Sequence, residues 1–177
     1  MFLAGAFIAV GSLYAQSSDA EWQAGVAKLK ETIQTNPAQA AEEAEHLIKG
    51  KNKKNVELLV AIGDAYLNAD KIPEAQEYAA LAWKANGKSA LASVLEGNIA
   101  VKQKNAGLAS QKYEVAIYFD PKCTEAYLKY ADIYKSANAS LAIEKLNQLK
   151  DLEPSHTAID KKLSEIYYLK NDNNNEV

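Results

Sequence analysis

The chain has 177 residues, 48% of them hydrophobic and 24% charged, the balance of a folded protein, which excludes wholesale disorder. Its formal net charge is −3, so it lacks the broad basic footprint of a nucleic-acid binder. One cysteine, Cys123, excludes an intramolecular disulfide and a cysteine-based metal site, and His46 and His156 stand far apart in no ligand spacing. The expectation is a protein with no metal and no cofactor.

Residues 2–15 carry no charge. The apolar run from Phe2 to Val10, then Gly11, Ser12 and Ala15, reads as a signal peptide cleaved after Ala15, leaving the polar start Gln16-Ser17-Ser18-Asp19. The ending Tyr14-Ala15-Gln16 resembles secretory signals common in Bacteroidetes. A membrane-spanning reading fares worse: about 14 helical residues rise roughly 21 Å, short of the ~30 Å hydrocarbon core. Membrane attachment is therefore expected only through an uncleaved signal segment, and the localisation expected is the periplasm or cell envelope.

Residues 19–53 form a divergent opening helix pair. Trp22, Val26, Leu29 and Ile33 share one helical face. Asn36-Pro37 ends that helix, because the residue before proline avoids helical geometry. Ala41, Ala44, Leu47 and Ile48 mark the second helix. Lys49, Lys51, Lys53 and Lys54 follow, around Gly50 and Asn52. They suit a solvated helix end, where cations meet the negative end of the dipole, and the alternative is a site for an anionic partner. No aromatic is interleaved for stacking on bases.

The next stretch repeats. Gly63, Gly97 and Ala131 are spaced 34 and 34; Ala75, Ala109 and Ala142 are spaced 34 and 33. Ala82, Ala116 and Leu149, and the turn residues Gly87, Pro121 and Pro154, keep the same 34 and 33. Each unit reads as two helices. In the first, Leu59, Ile62, Gly63 and Tyr66 fall on one face, Asn68-Ala69-Asp70-Lys71 is the turn, and Pro73 suits the first turn of the next helix. Small residues such as Gly63 and Ala75 let the two axes approach closely. The third unit has lost one residue between Tyr134 and Ala142.

These residues resemble the tetratricopeptide repeat, whose pattern asks for Leu-Gly, Tyr, Ala, an aromatic, Ala and Pro. Gly97, Ala109, Tyr113, Ala116 and Pro121 carry it in the second unit. Tyr127, Ala131, Tyr134, Ala142 and Pro154 carry it in the third. The first unit departs at Ala79, with Tyr78 beside it. The resemblance implies an all-α solenoid, a right-handed superhelical array of antiparallel helix pairs. The repeats span residues 56–89, 90–123 and 124–156, and residues 157–177 begin an incomplete fourth. There, Tyr168-Leu169-Lys170-Asn171-Asp172 echoes Tyr66-Leu67-Asn68-Ala69-Asp70, and Leu163, Ile166 and Tyr167 form a bare apolar face at the end of the array. The chain then reads as the N-terminal piece of a longer repeat protein.

The resemblance also implies a concave face lined by the first helix of each pair. That face would carry Val60, Asp64, Leu67 and Asn68 from the first unit, Val94, Asn98, Val101 and Lys102 from the second, and Leu128, Asp132, Lys135 and Ser136 from the third. It suits an extended peptide or a helix. The carboxylate clamp of chaperone-binding relatives is not matched: Asn98 fits, but Val94 stands where a Lys is needed and Leu128 carries no charge. Tyr66, Tyr113, Tyr127 and Tyr134 are expected in the core, and Tyr118 and Phe119 at a repeat junction. No nucleophile elbow, phosphate loop or metal spacing occurs, so a protein-binding scaffold in the envelope is expected and an enzyme is not. The competing expectation is an assembly module that self-associates through its C-terminal end.

Overall fold

A computed structural model describes residues 7–175, with side chains from 21 to 171. The signal-peptide reading falls partly outside this range. Residues 1–6 are not described, and from residue 7 onward the backbone belongs to helix α1, Phe7–Thr35. Every regular element among the described residues is helical. After α1 come α2 (Pro37–Leu47), a 3₁₀ turn (Gly50–Lys54), α3 (Val56–Asn68) and α4 (Ile72–Ala85). Then follow α5 (Ala90–Lys102), α6 (Ala106–Phe119), α7 (Thr124–Tyr134), α8 (Ala139–Leu152) and α9 (Thr157–Asn175). The chain divides into two compact units at Ala85/Asn86.

Local chemistry starts most of these helices. Side-chain oxygens of Asn36, Asn55, Ser89, Asn105 and Asn138 accept from the backbone N–H three residues on, capping α2, α3, α5, α6 and α8. Pro37 sits at the start of α2, where its missing N–H costs nothing. The hairpins α3–α4 and α5–α6 turn through Asp70 (φ +58°) and Lys104 (φ +59°), 34 residues apart. The third hairpin is built differently. Helix α7 has 11 residues where α3 and α5 have 13, and its connection to α8 is one residue longer. These two changes leave the unit one residue short, and this hairpin has no left-handed residue.

In the first unit, Val26, Leu29 and Ile33 of α1 are buried, as are Ala40 and Ala44 of α2. Ala41, expected to face inward, is exposed; the buried stripe passes through Ala40, one position earlier. Tyr66 and Tyr78 are both buried and stack with ring centroids 5.6 Å apart. Tyr78 thus supplies the aromatic bulk that Ala79 lacks.

In the second unit, one apolar cluster joins Val94, Ala109, Tyr113, Ala116, Cys123 and Tyr130 across α5, α6 and α7. Another joins Tyr127, Leu146, Leu149, Ile159, Leu163 and Ile166 across α7, α8 and α9. Tyr127 lies inside the second cluster, and Tyr134 is only half-buried, its hydroxyl donating to Ser110 Oγ at 3.3 Å. Three expectations are corrected here. Tyr118 does not pack at a junction: it is 81% exposed and meets the Phe119 ring edge-on. Leu163 and Ile166 are not bare, because α8 and α7 cover them, leaving Tyr167 and Tyr168 exposed. Nor does α9 turn at Asn171 as the echo of the first unit suggests; it continues unbroken to Asn175.

Candidate partner-binding site

In the first unit, α1 packs on both α2 and α3. Between α1 and α3 lies an open groove of about 500 Å³. Trp22, Gln23, Val26, Ala27, Lys30 and Glu31 of α1 line it with Ala61 of α3. Its floor is apolar, since Val26 is buried and Trp22 half-buried, and Lys30 and Glu31 stand exposed at its rim. Val60 and Asp64, half-buried one helical turn apart, flank Ala61 on α3. Asn68 is exposed at the end of that helix.

A smaller cavity of about 180 Å³ between α1 and α2 is bordered by Gly25, Lys28, Glu43, His46 and Leu47. There Lys28 Nζ lies 2.7 Å from Glu43, and this bond chiefly holds the Glu43 carboxyl below its ordinary range. That pair ties the two helices together and leaves little of the cavity for a ligand.

In the second unit the expected residues other than Val94 and Leu128 divide into three groups. Val101 (48% exposed) and Lys102 are open to solvent at the end of α5. Ser136 is also exposed, in the turn beyond α7. Asn98 is half-buried and tied inward: its side-chain carbonyl accepts from the Tyr113 hydroxyl at 2.8 Å. Asp132 and Lys135 belong to an ion-pair quartet with α9. Lys162 Nζ lies 2.9 Å from Asp132 and 2.7 Å from Glu165, and Lys135 lies 2.7 Å from Glu165 and 3.2 Å from Asp132.

Glu165, Lys135 and Lys162 shift in consistent directions. Lys135 holds Glu165 below its usual range, helped by Lys162, and Glu165 and Asp132 raise Lys135. Burial pulls Lys162 down, but bonds to Glu165 and Asp132 outweigh it and leave its ammonium raised. The two carboxylates and two ammonium groups satisfy one another, so this part of the face offers little net charge.

Two of the expected residues are not available to a partner, and a third is partly covered. Leu67 is 4% exposed and Val94 3%, both inside the core, and Leu128 packs against the α7–α9 cluster. A first helix in a stack of helix pairs packs sideways as well as against its own partner, so its outward stripe is narrower than a count of helical turns suggests. Conversely, Trp22, Lys30 and Glu31 were not assigned to the site from sequence. The signal for them was there: Trp22 opens the amphipathic stripe of α1, but that helix was read only as a cap to the stack.

No family model matches the sequence. No curated protein matches it either. Solved structures do. PilF of Pseudomonas aeruginosa superposes with a TM-score of 0.62 at 14% identity, over 88% of this chain and 72% of that one. The first tetratricopeptide domain of Spaghetti (RPAP3), solved with the HSP90 peptide SRMEEVD, gives 0.56 at 16% identity, over 66% of this chain and 95% of that one. YrrB, described as a tetratricopeptide protein with an unusual peptide-binding site, gives 0.52 at 15%, over 83% and 76%. With every regular element among the described residues helical, these likenesses establish the fold: an all-α, tetratricopeptide-like array of helix pairs.

Proposed function

We propose that the chain is a non-catalytic protein-interaction scaffold, exported to the bacterial cell envelope, that holds a peptide or helix of a partner protein against its first helices. The observation that carries this reading is the α1–α3 groove, with an apolar floor at Val26 and Trp22 and one charge of each sign at its rim. An apolar trough with charged edges suits an amphipathic or extended segment, whose apolar side chains fill the floor while its polar ones stay wet. Two of the similar structures are described by their peptide sites, which agrees with this use of the fold. Export rests on the uncharged run at residues 2–15.

The test is capture of partners from a cell-envelope extract by the wild-type chain and by Trp22→Ala and Lys30→Glu. Both side chains lie at the groove and neither is fully buried, so helix content should be unchanged. Loss of the same partner in both variants supports the reading. A partner retained by both removes the groove from the site.

A further inference from the structure

The lysine cluster after α2 differs in place from the helix end that the sequence suggests. Helix α2 stops at Leu47, and Lys51, Lys53 and Lys54 lie in the 3₁₀ turn Gly50–Lys54. That turn leads straight into Asn55, the cap of α3. Lys53 and Lys54 therefore stand at the positive end of the α3 dipole, where acids stabilise and cations do the opposite. Lys49, Lys51, Lys53 and Lys54 are all exposed. No ion pair joins any of them to an acid among the described residues.

The turn is also ordered. Gly50 takes φ +61°, and Asn52 Nδ2 donates to the Leu47 carbonyl at 3.0 Å. Four unpaired cations are thus displayed on a fixed turn of a chain whose net charge is −3. Fold stability does not explain them.

Their position on the first unit indicates what they face. Leu47 packs on α1 at Gly25, its Cγ 3.4 Å from where a Cβ would sit. From that level α1 continues back to Phe7, roughly 27 Å at 1.5 Å per residue. The uncharged residues 7–15 thus lie on α1 beyond the Leu47 level, about 15–27 Å toward its start. Among the described residues no helix is long and apolar enough to cross a membrane. We propose that Lys49, Lys51, Lys53 and Lys54 form a docking surface for an anionic lipid headgroup layer, in the form of the chain that keeps the apolar stretch beginning α1 uncleaved.

The chemistry favours lipid over other polyanions. The chain contains no arginine, so the planar fork that reads carboxylates and phosphopeptides in two-point fashion is missing. Lysines are point charges suited to a diffuse negative surface. No aromatic is interleaved for stacking on single-stranded bases.

The experiment is co-sedimentation of the full chain with neutral phosphatidylcholine vesicles and with vesicles in which about a third of the lipid is phosphatidylglycerol. Binding should be tighter to the anionic vesicles, and the difference should vanish near 1 M salt, where the Debye length is about 3 Å. Comparing vesicle types separates the lysines from residues 2–15, which bind either by apolar contact. The triple variant K51Q/K53Q/K54Q should lose about fivefold per lysine, on the order of 100-fold in all, from the anionic preference. A control of equal charge change, K129Q/K161Q/K170Q, alters exposed lysines of the other unit and should keep it. Equal binding to both vesicle types, no effect of the first variant, or an equal loss in the control overturns the proposal. So does tight binding to polyglutamate or single-stranded DNA while anionic vesicles are ignored.

Discussion

The Tyr113 ring lies directly over Gly97. A Cβ added at Gly97 would overlap its Cε1 and sit 2.7 Å from Cδ1 and 2.9 Å from Cζ. The ring cannot step aside easily, because Tyr113 is fully buried and its hydroxyl donates to Asn98. In an open helix, glycine to alanine gains about 1 kcal/mol. Here overpacking should win, and Gly97→Ala should cost roughly 1–3 kcal/mol in urea unfolding. Tyr113→Phe keeps the ring and loses the bond to Asn98, so its cost should be near 1 kcal/mol. A Gly97→Ala variant as stable as wild type would show that the α5–α6 packing is looser than described.

Lys104 holds a left-handed conformation that asks for glycine or asparagine. Lys104→Gly should stabilise the chain by about 0.5–1 kcal/mol, the relief of strain exceeding the extra unfolded-state entropy. Asp70 has almost the same φ, but aspartate tolerates it better. Asp70→Gly should therefore gain less. Denaturation midpoints of the two variants, at unchanged slope, check this order.

The quartet of Asp132, Lys135, Lys162 and Glu165 gives α9 a salt- and pH-dependent hold. Glu165 is depressed in the folded state, so its contribution is present above the ordinary carboxylate pKa and is lost as pH falls through its folded value. Lys135 and Lys162 are raised, so theirs is present below the ordinary lysine pKa and is lost as pH rises through their folded values. The quartet therefore works between about pH 5 and pH 10. The Glu165 side chain is 39% exposed, so screening limits Glu165→Gln to about 1 kcal/mol or less. The loss should shrink in 1 M salt, near the limit of a 3 Å Debye length. Thermal scans at acid and neutral pH, with and without salt, measure both trends; a salt-independent loss would point to packing instead of charge.

Exposure separates the tyrosines by consequence. Tyr118 is 81% exposed, so Tyr118→Lys should change stability by less than about 0.5 kcal/mol. Tyr66 and Tyr78 are buried against each other, and either one changed to Ala should cost roughly 3–5 kcal/mol. Thermal denaturation of the three variants decides the matter, and a large effect at Tyr118 would reveal a contact not described.

The repeats were legible because they are written in residue types that do one job. Gly97, Ala109 and Ala116 mark close approach, and the caps Asn55 and Ser89 recur 34 residues apart. The face proposed for binding was harder to read. Leu67 and Val94 sit at the same helical angle as residues that would face a ligand, and only sideways packing decides that they are core. Asp132 and Lys135 looked free because their α9 partners lie 30 residues away. The end of α9 misled for a related reason. The string after Tyr168 copies the turn of the first unit, but α9 runs on through it to Asn175.

Cys123 is the only thiol in the chain, and it is buried where α6 meets α7. It precedes the first turn of α7, a position that can acidify a thiol, but burial dominates and pushes it up. A thiol so placed reacts only when that joint parts. In an array where each pair of helices touches its neighbours alone, separate joints can open without global unfolding. The rate at which a thiol reagent captures Cys123 is therefore a clock for the breathing of one joint, a site-specific probe already built into the native sequence.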